Sequence, residues 1–227
     1  MCKTTTAAID KAYENEYEAR TYLGLSQVGH HCPRYLWYCY NNYPQPMPEG
    51  RILRLFQLGN VVEDQTIADL KKAGISHFDS QLEVSFEHEG ITLRGHIDGK
   101  VKGLPENPDK EFLFEHKTCS DKKFTELTRC NNYKLWNEQY WWQVQFYMLG
   151  LSLKSTLVIV YNKNTSELYH EFIPIEEERT INKLTDVFNC LLSDQPPERV
   201  CPTASWYQAK WCPFYRECFK CSLTKYG

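Results

Sequence analysis

The chain has 227 residues, 42% of them hydrophobic and 24% charged, with a net charge of −3. That length can bury one sizeable core, and the composition is that of a folded chain, not a disordered one. No apolar run reaches the ~20 residues of a membrane span, and a net negative charge excludes a non-specific basic coat for nucleic acid, so any such contact must be local.

At the N-terminus, MCKTTTAAIDKAYENEYEAR lacks the apolar core of a secretory signal. The chain is therefore expected to stay inside the cell, with its ten cysteines reduced. Residues 7–22 show the Glu- and Ala-rich pattern of an amphipathic helix, and Ser26 is a candidate N-cap for a second helix carrying CPRYLWYCY. PQPMPEG, residues 44–50, forms a loop, because three prolines and a glycine cannot sit inside a helix. Helical spacing returns over residues 51–73 (Ile52, Leu55, Phe56, Val62, Ile67, Leu70) and stops at Gly74. Three strand-like runs follow at 82–88, 91–101 and 111–118, the first two joined by a Glu-Gly turn. Residues 133–151 read as one long aromatic helix, 156–161 and 167–175 as a hairpin across KNTS, and 176–192 as a further helix. From Gln195 the chain is Pro- and Cys-rich and aperiodic. This order implies an α/β domain around a mixed sheet, with an N-terminal helical segment (1–50), a core (51–193) and a tail (194–227).

The chemistry concentrates in two of these strands. GHIDG places Asp98 in a bend, and Glu115 and Lys117, two apart, share one face of the next strand. Two carboxylates converging at a sheet edge make a hard-oxygen site suited to Mg²⁺ or Mn²⁺. The lysine beside them can hold or help deprotonate a water, or steady phosphate charge, while the ion polarises a phosphoryl oxygen. That is the chemistry of phosphodiester hydrolysis. As spacing alone, the same residues equally describe a turn Asp and a solvated strand pair.

Taken together, GHIDG followed by FEHKT resembles the core of the PD-(D/E)xK nucleases, in their RecB-like and phage lambda-exonuclease-like branch. RLFQLGNVVED places Glu63 four residues after Gly59 on a helix, as in that family's metal-facing G-x-x-x-(H/E) position. YWWQVQFYMLGL matches its Gln-x-x-x-Tyr helix through Gln143 and Tyr147, and HKTCSDKKF resembles its basic, DNA-facing turn, with Lys122 and Lys123 at the matching places. The likeness covers about residues 25–218. It implies a restriction-endonuclease-like core and catalysis by Asp98, Glu115, Lys117 and Gln143. It also implies Mg²⁺ or Mn²⁺ on Glu63, Asp98, Glu115 and the His116 carbonyl, and DNA contacts from Lys122, Lys123 and Tyr147. The rings of His96 and His116 read as ordinary strand residues.

The cysteines add a second pattern. Cys212, Cys218 and Cys221 give C-x5-C-x2-C in the tail, with Cys32 far away in HHCPRYLWY. Thiolates hold either an iron–sulfur cluster or tetrahedral zinc, so the spacing does not name the metal. The same resemblance implies a [4Fe–4S] cluster on one Cys before the nuclease core and three after it. The family's tail is C-x2-C-x5-C, and Ala209 stands where its first Cys belongs. Either Cys221 or Cys201 supplies the missing ligand, Cys221 being favoured as the nearer, or the cluster is incomplete or absent.

The leading expectation is a metal-dependent DNA exonuclease of phage or prophage recombination. It would act on linear or single-stranded DNA ends in the cytoplasm of a bacterial host, with a single-strand annealing protein as partner and no membrane. One alternative is a CRISPR-associated RecB-like nuclease that trims DNA ends. Another is a catalytically silent DNA-binding module, which the intact Asp98, Glu115, Lys117 and Gln143 weigh against.

Overall fold

The computed structural model, which describes residues 4–219, arranges the chain as a mixed sheet flanked by helices. Four helices lead: α1 (Thr5–Glu16), α2 (Leu25–Val28), α3 (Pro33–Tyr40) and α4 (Gly50–Lys72). Strands β1 (Ser76–Phe78), β2 (Glu83–His88), β3 (Ile91–His96), β4 (Gly99–Lys102) and β5 (Phe112–Cys119) follow. Then come α5 (Asp121–Cys130), α6 (Tyr133–Trp136) and α7 (Glu138–Leu151), the strands β6 (Ser155–Asn162) and β7 (Leu168–Pro174), and α8 (Glu177–Leu192). Two short helices, α9 (Tyr207–Lys210) and α10 (Tyr215–Phe219), close the described chain. Among these residues no helix is long and apolar enough to cross a membrane.

The main sheet runs β1-β4-β5-β6-β7, and β2 and β3 form a separate hairpin. β5 and β6 are parallel, while β1–β4, β4–β5 and β6–β7 are antiparallel. A parallel pair cannot be closed by a tight turn; here α5, α6 and α7 span the crossover. β5 divides its side chains between two apolar clusters. Leu113 and Cys119 join the larger one with α7, whereas Phe112 and Phe114 join Leu70, Val101, Leu157 and Ile159 in the smaller one. By the two-residue period, Glu115 and Lys117 share the face of Leu113 and Cys119.

Several elements depart from the sequence pattern. The run 91–101 is two strands, not one: β3 pairs with β2, and β4 pairs with β1 and β5. The break lies at Ile97 and Asp98, where Ile97 exchanges backbone hydrogen bonds with Leu82 and Gln81, and Gly99 adopts a φ of 150°. The aromatic segment 133–151 is interrupted at Asn137, which is extended and caps α7 by accepting a hydrogen bond from the Tyr140 N–H at 3.1 Å. Ser26 is no N-cap, because it lies within α2; α3 instead starts with Pro33 as its first residue, a position that costs no hydrogen bond. α1 stops at Glu16 and buries none of its residues. β1, α5 and the two tail helices were not anticipated, although α5 carries an amphipathic pattern through Phe124 and Leu127.

Candidate active site

Asp98 sits where the chain leaves the hairpin for the main sheet. Its Oδ2 accepts a hydrogen bond from the His116 backbone N–H at 2.8 Å, which ties it to β5. Both glycines of GHIDG are required by close approaches. A Cβ on Gly95 would stand 2.7 Å from the Tyr147 hydroxyl, and one on Gly99 would collide with the His77 ring. His77 Nε2–H donates to the Asp98 carbonyl at 3.2 Å, and the ring stands edge-on to Phe114. The bend that carries Asp98 is thus fixed from three sides.

Glu115 is fully buried. Its Oε1 pairs with the Lys117 ammonium, while its Oε2 has no hydrogen-bond partner. Lys117 Nζ also donates to the His116 carbonyl at 3.2 Å and lies 5.2 Å from the centre of the Tyr140 ring. Burial, reinforced by the Asp98 charge and opposed by Lys117, pushes Glu115 up to about 8. Glu63 on α4 is pushed up to about 7, by burial first and then by Asp98. Burial would lower Lys117, but Glu115 and Asp98 outweigh it and hold the lysine well above its usual value. Three carboxylates therefore share the field of one lysine, and burial with mutual repulsion shifts Glu63 and Glu115 toward their protonated forms.

This donor set fits a hard divalent cation by its chemistry: carboxylate oxygens, one of them buried with its lone pairs unused. Among the described residues, no group of three or more His, Cys, Asp or Glu side chains is already arranged to hold a metal ion. Lys117 occupies the Glu115 oxygen instead. A cleft of about 360 Å³ opens beside these groups, lined by Phe56, Glu63, His116, Lys117, Tyr140 and Lys163 among others.

No family model and no curated protein sequence matches the chain. Its backbone, however, is similar to solved structures, among them an exonuclease. An alkaline exonuclease (LHK-Exo) from Laribacter hongkongensis aligns with a TM-score of 0.52 at 16% identity, over 75% of this chain and 86% of that one. LHK-Exo in complex with dAMP gives 0.51 at 16%, over 81% and 90%. The crystal structure of SSO0001 gives 0.52 at 15%, over 93% and 94%. At such identities the likeness is one of fold, and it agrees with the restriction-endonuclease-like architecture expected from the motifs.

The remaining candidates divide. The His116 ring points to the α4 side, where its Nε2 lies 3.1 Å from the Thr66 hydroxyl. That hydroxyl donates its one proton to the Val62 carbonyl, so Nε2 carries the proton in the His–Thr bond. Burial lowers the ring to about 4 and keeps it neutral. His96 faces Glu83 across the hairpin at 3.6 Å. Gln143 is buried on α7, within reach of the Tyr147 hydroxyl. Tyr147 itself is only 2% exposed, so a direct DNA contact from it is corrected: it packs over Gly95 and supports the bend. Lys122 and Lys123 are exposed, but on the first turn of helix α5 and not in a loop, and Lys123 pairs with Glu126 at 2.5 Å.

Sequence reasoning missed His77, Tyr133 and Tyr140. Tyr133 is fully buried, feels the charges of Lys117 and Glu115, and leaves its hydroxyl unpartnered. Its signal was hidden in an aromatic segment that read as core.

The cysteine region lies where the tail docks on α3. Arg34 donates to the Pro197 carbonyl at 2.9 Å, Trp37 Nε1 to Ser193 at 2.8 Å, and Phe214 is buried against Tyr35 and Tyr38. Cys32, Cys201, Cys212 and Cys218 are free thiols. Burial raises Cys201, Cys212 and Cys218, and Cys32 adds to the rise of each. Cys221 lies outside the described residues.

Proposed function

We propose that the chain is a Mg²⁺- or Mn²⁺-dependent deoxyribonuclease acting on DNA ends. The observation that carries this reading is Glu115: fully buried, bound to Lys117 through one oxygen, unpartnered at the other, and exposed to the charge of Asp98. Glu63, Asp98, Glu115 and the His116 carbonyl would hold the cation. When bound, it supplies Lewis-acid polarisation of a phosphoryl oxygen and a water of lowered pKa.

The chain's own groups do the rest. Asp98 is held by the His116 N–H and the His77 ring, so its carboxylate is preorganised before substrate arrives. Lys117, kept charged, offers its ammonium where negative charge develops on phosphorus-bound oxygens. Gln143 orients the lysine, the water or the phosphate from α7, and Lys122 and Lys123 take the DNA backbone. The fold likeness to an alkaline exonuclease, including its dAMP complex, supports DNA as the substrate class. The setting this reading favours is phage or prophage DNA recombination.

Beside it, Cys32, Cys212 and Cys218 are proposed to bind a [4Fe–4S] cluster or zinc, with Cys201 as the fourth ligand. Cys32 influences Cys201, Cys212 and Cys218, and Cys221, nearer to them in sequence, is the alternative fourth ligand.

End-labelled linear and circular DNA with Mg²⁺ test the nuclease. Linear DNA should be shortened from its ends, circular DNA spared, and EDTA should stop the reaction. Intact linear DNA, or circles cut as fast as linear molecules, would overturn the reading.

A further inference from the structure

Three aromatic side chains stand in solvent within six residues of the tail: Trp206 is 42% exposed, Tyr207 65% and Trp211 87%. Rings this large are normally drawn inside, and a contiguous set left outside marks a binding surface. Beside Trp211 opens a cleft of about 650 Å³. Pro44 and Pro46 form one wall, and Lys210, Trp211, Tyr215 and Arg216 line the other. The proline wall is stiff, which favours a preformed cleft. None of its lining residues lines the cleft beside Lys117.

The local charge is opposite to that of the chain. Residues 195–227 carry five Lys and Arg against two Glu, whereas the whole chain is at −3. In the cleft itself Glu217 is the one acid beside Lys210 and Arg216. Aromatic faces alternating with cations match a polyanion that shows flat rings. Single-stranded nucleic acid does so, whereas a duplex hides its base faces in the stack. A second copy of this chain, at a net charge of −3, offers no comparable row of flat rings joined by regularly spaced anions.

We propose that this cleft is a binding site for single-stranded nucleic acid, with bases stacked on Trp211 and phosphates held by Lys210 and Arg216. It does not depend on the nuclease reading. The test uses the full chain in EDTA, so that nothing is cleaved, with fluorescein-labelled oligothymidylate followed by anisotropy across a salt series. Trp211→Ala should weaken binding roughly tenfold, the effect of losing one stacked base. Lys210→Ala/Arg216→Ala should weaken it several-fold and flatten the salt dependence by about two charges. All three side chains are at the surface, so unchanged melting temperatures should accompany both losses.

Wild-type affinity in both variants overturns the proposal. So does equal competition by duplex of the same length, which would assign binding to charge alone. Self-association of the wild type in sedimentation that Trp211→Ala abolishes would reassign the cleft to contact between copies. A chain that binds through Trp211 yet cleaves nothing would sink the nuclease reading and leave this one standing.

Discussion

Glu115 and Cys212 are both candidate ligands, yet the fold holds them in opposite ways. Glu115 lies in mid-strand, paired with Val158 of β6, and its neighbours Asp98 and Lys117 are tied to the same strand, β5. Cys212 follows the short helix α9, in a tail joined to α3 by a few side-chain-to-backbone hydrogen bonds and Phe214. Asp98 and Glu115 are therefore placed by the sheet, and a cation would need only to displace Lys117 from the Glu115 oxygen and draw in Glu63 from α4. A cysteine site of the kind proposed would bring together segments about 180 residues apart, an arrangement that is entropically costly to close unless something bridges it. One metal would serve chemistry and leave the fold alone; the other would serve the fold and leave the chemistry alone.

The sharpest test of that contrast is Asp98→Ala. Cleavage should fall by roughly a thousandfold or more, the scale on which preorganised electrostatic groups act, with the melting temperature nearly unchanged. A large drop in melting temperature with residual cleavage would break the comparison. Lys117→Ala should lose about a hundredfold in kcat while DNA binding in Ca²⁺ persists. Loss of binding with normal turnover would make the lysine a backbone anchor instead.

Cys32→Ala probes the other side. It should remove iron or zinc from anaerobically purified protein and make the tail sensitive to protease, while the remaining folded fraction cleaves normally. Cys201→Ala should copy it. Elemental analysis showing full metal in Cys201→Ala but none in Cys221→Ala would restore Cys221 as the ligand.

Smaller effects follow from protonation. Glu115 and Glu63 hold protons in the folded chain that they would release when unfolded, so the unfolded state binds fewer protons between about pH 4.5 and 8. Without a divalent ion, their contribution to stability is fully present below about pH 4.5 and is lost as pH rises through 7 to 8. Mg²⁺ competes with those protons, so it should raise the melting temperature more at pH 8 than at pH 5.5, by a few degrees. Equal shifts at both values would count against these carboxylates as ligands. The smallest change is expected for Lys122→Ala/Lys123→Ala: DNA affinity lower by a few-fold and a salt slope shallower by about two.

The strands and helices that carry the carboxylates and the lysine were legible because their signals are local. The two-residue period placed Glu115 and Lys117 on one side, and the helix around Glu63 ended at Gly74 as its sequence predicts. What escaped was set by contacts at a distance. The run 91–101 looks continuous, and only its pairing with two different sheets splits it at Asp98. Tyr147 has the spacing of a substrate contact but is sealed beneath Gly95 by packing that no spacing reveals. His77 belongs to a three-residue strand too short for any periodic signal. In the tail, the choice between Cys201 and Cys221 depends on a chain path that aperiodic sequence cannot fix.

The parallel pairing of β5 with β6 has a consequence for how the molecule comes into being. Glu115 meets its register partner at Val158, and everything between them, including Gln143, belongs to the crossover. A nascent chain can zip β4 onto β5 early, since those strands are near neighbours in sequence, but the α7 roof arrives only when the long loop has closed. Such non-local closure is slow compared with hairpin formation. The half-built sheet then carries its acids without the helix that covers them. The carboxylate site is thus completed in the last stage of folding, only after the crossover and β6 have been synthesised.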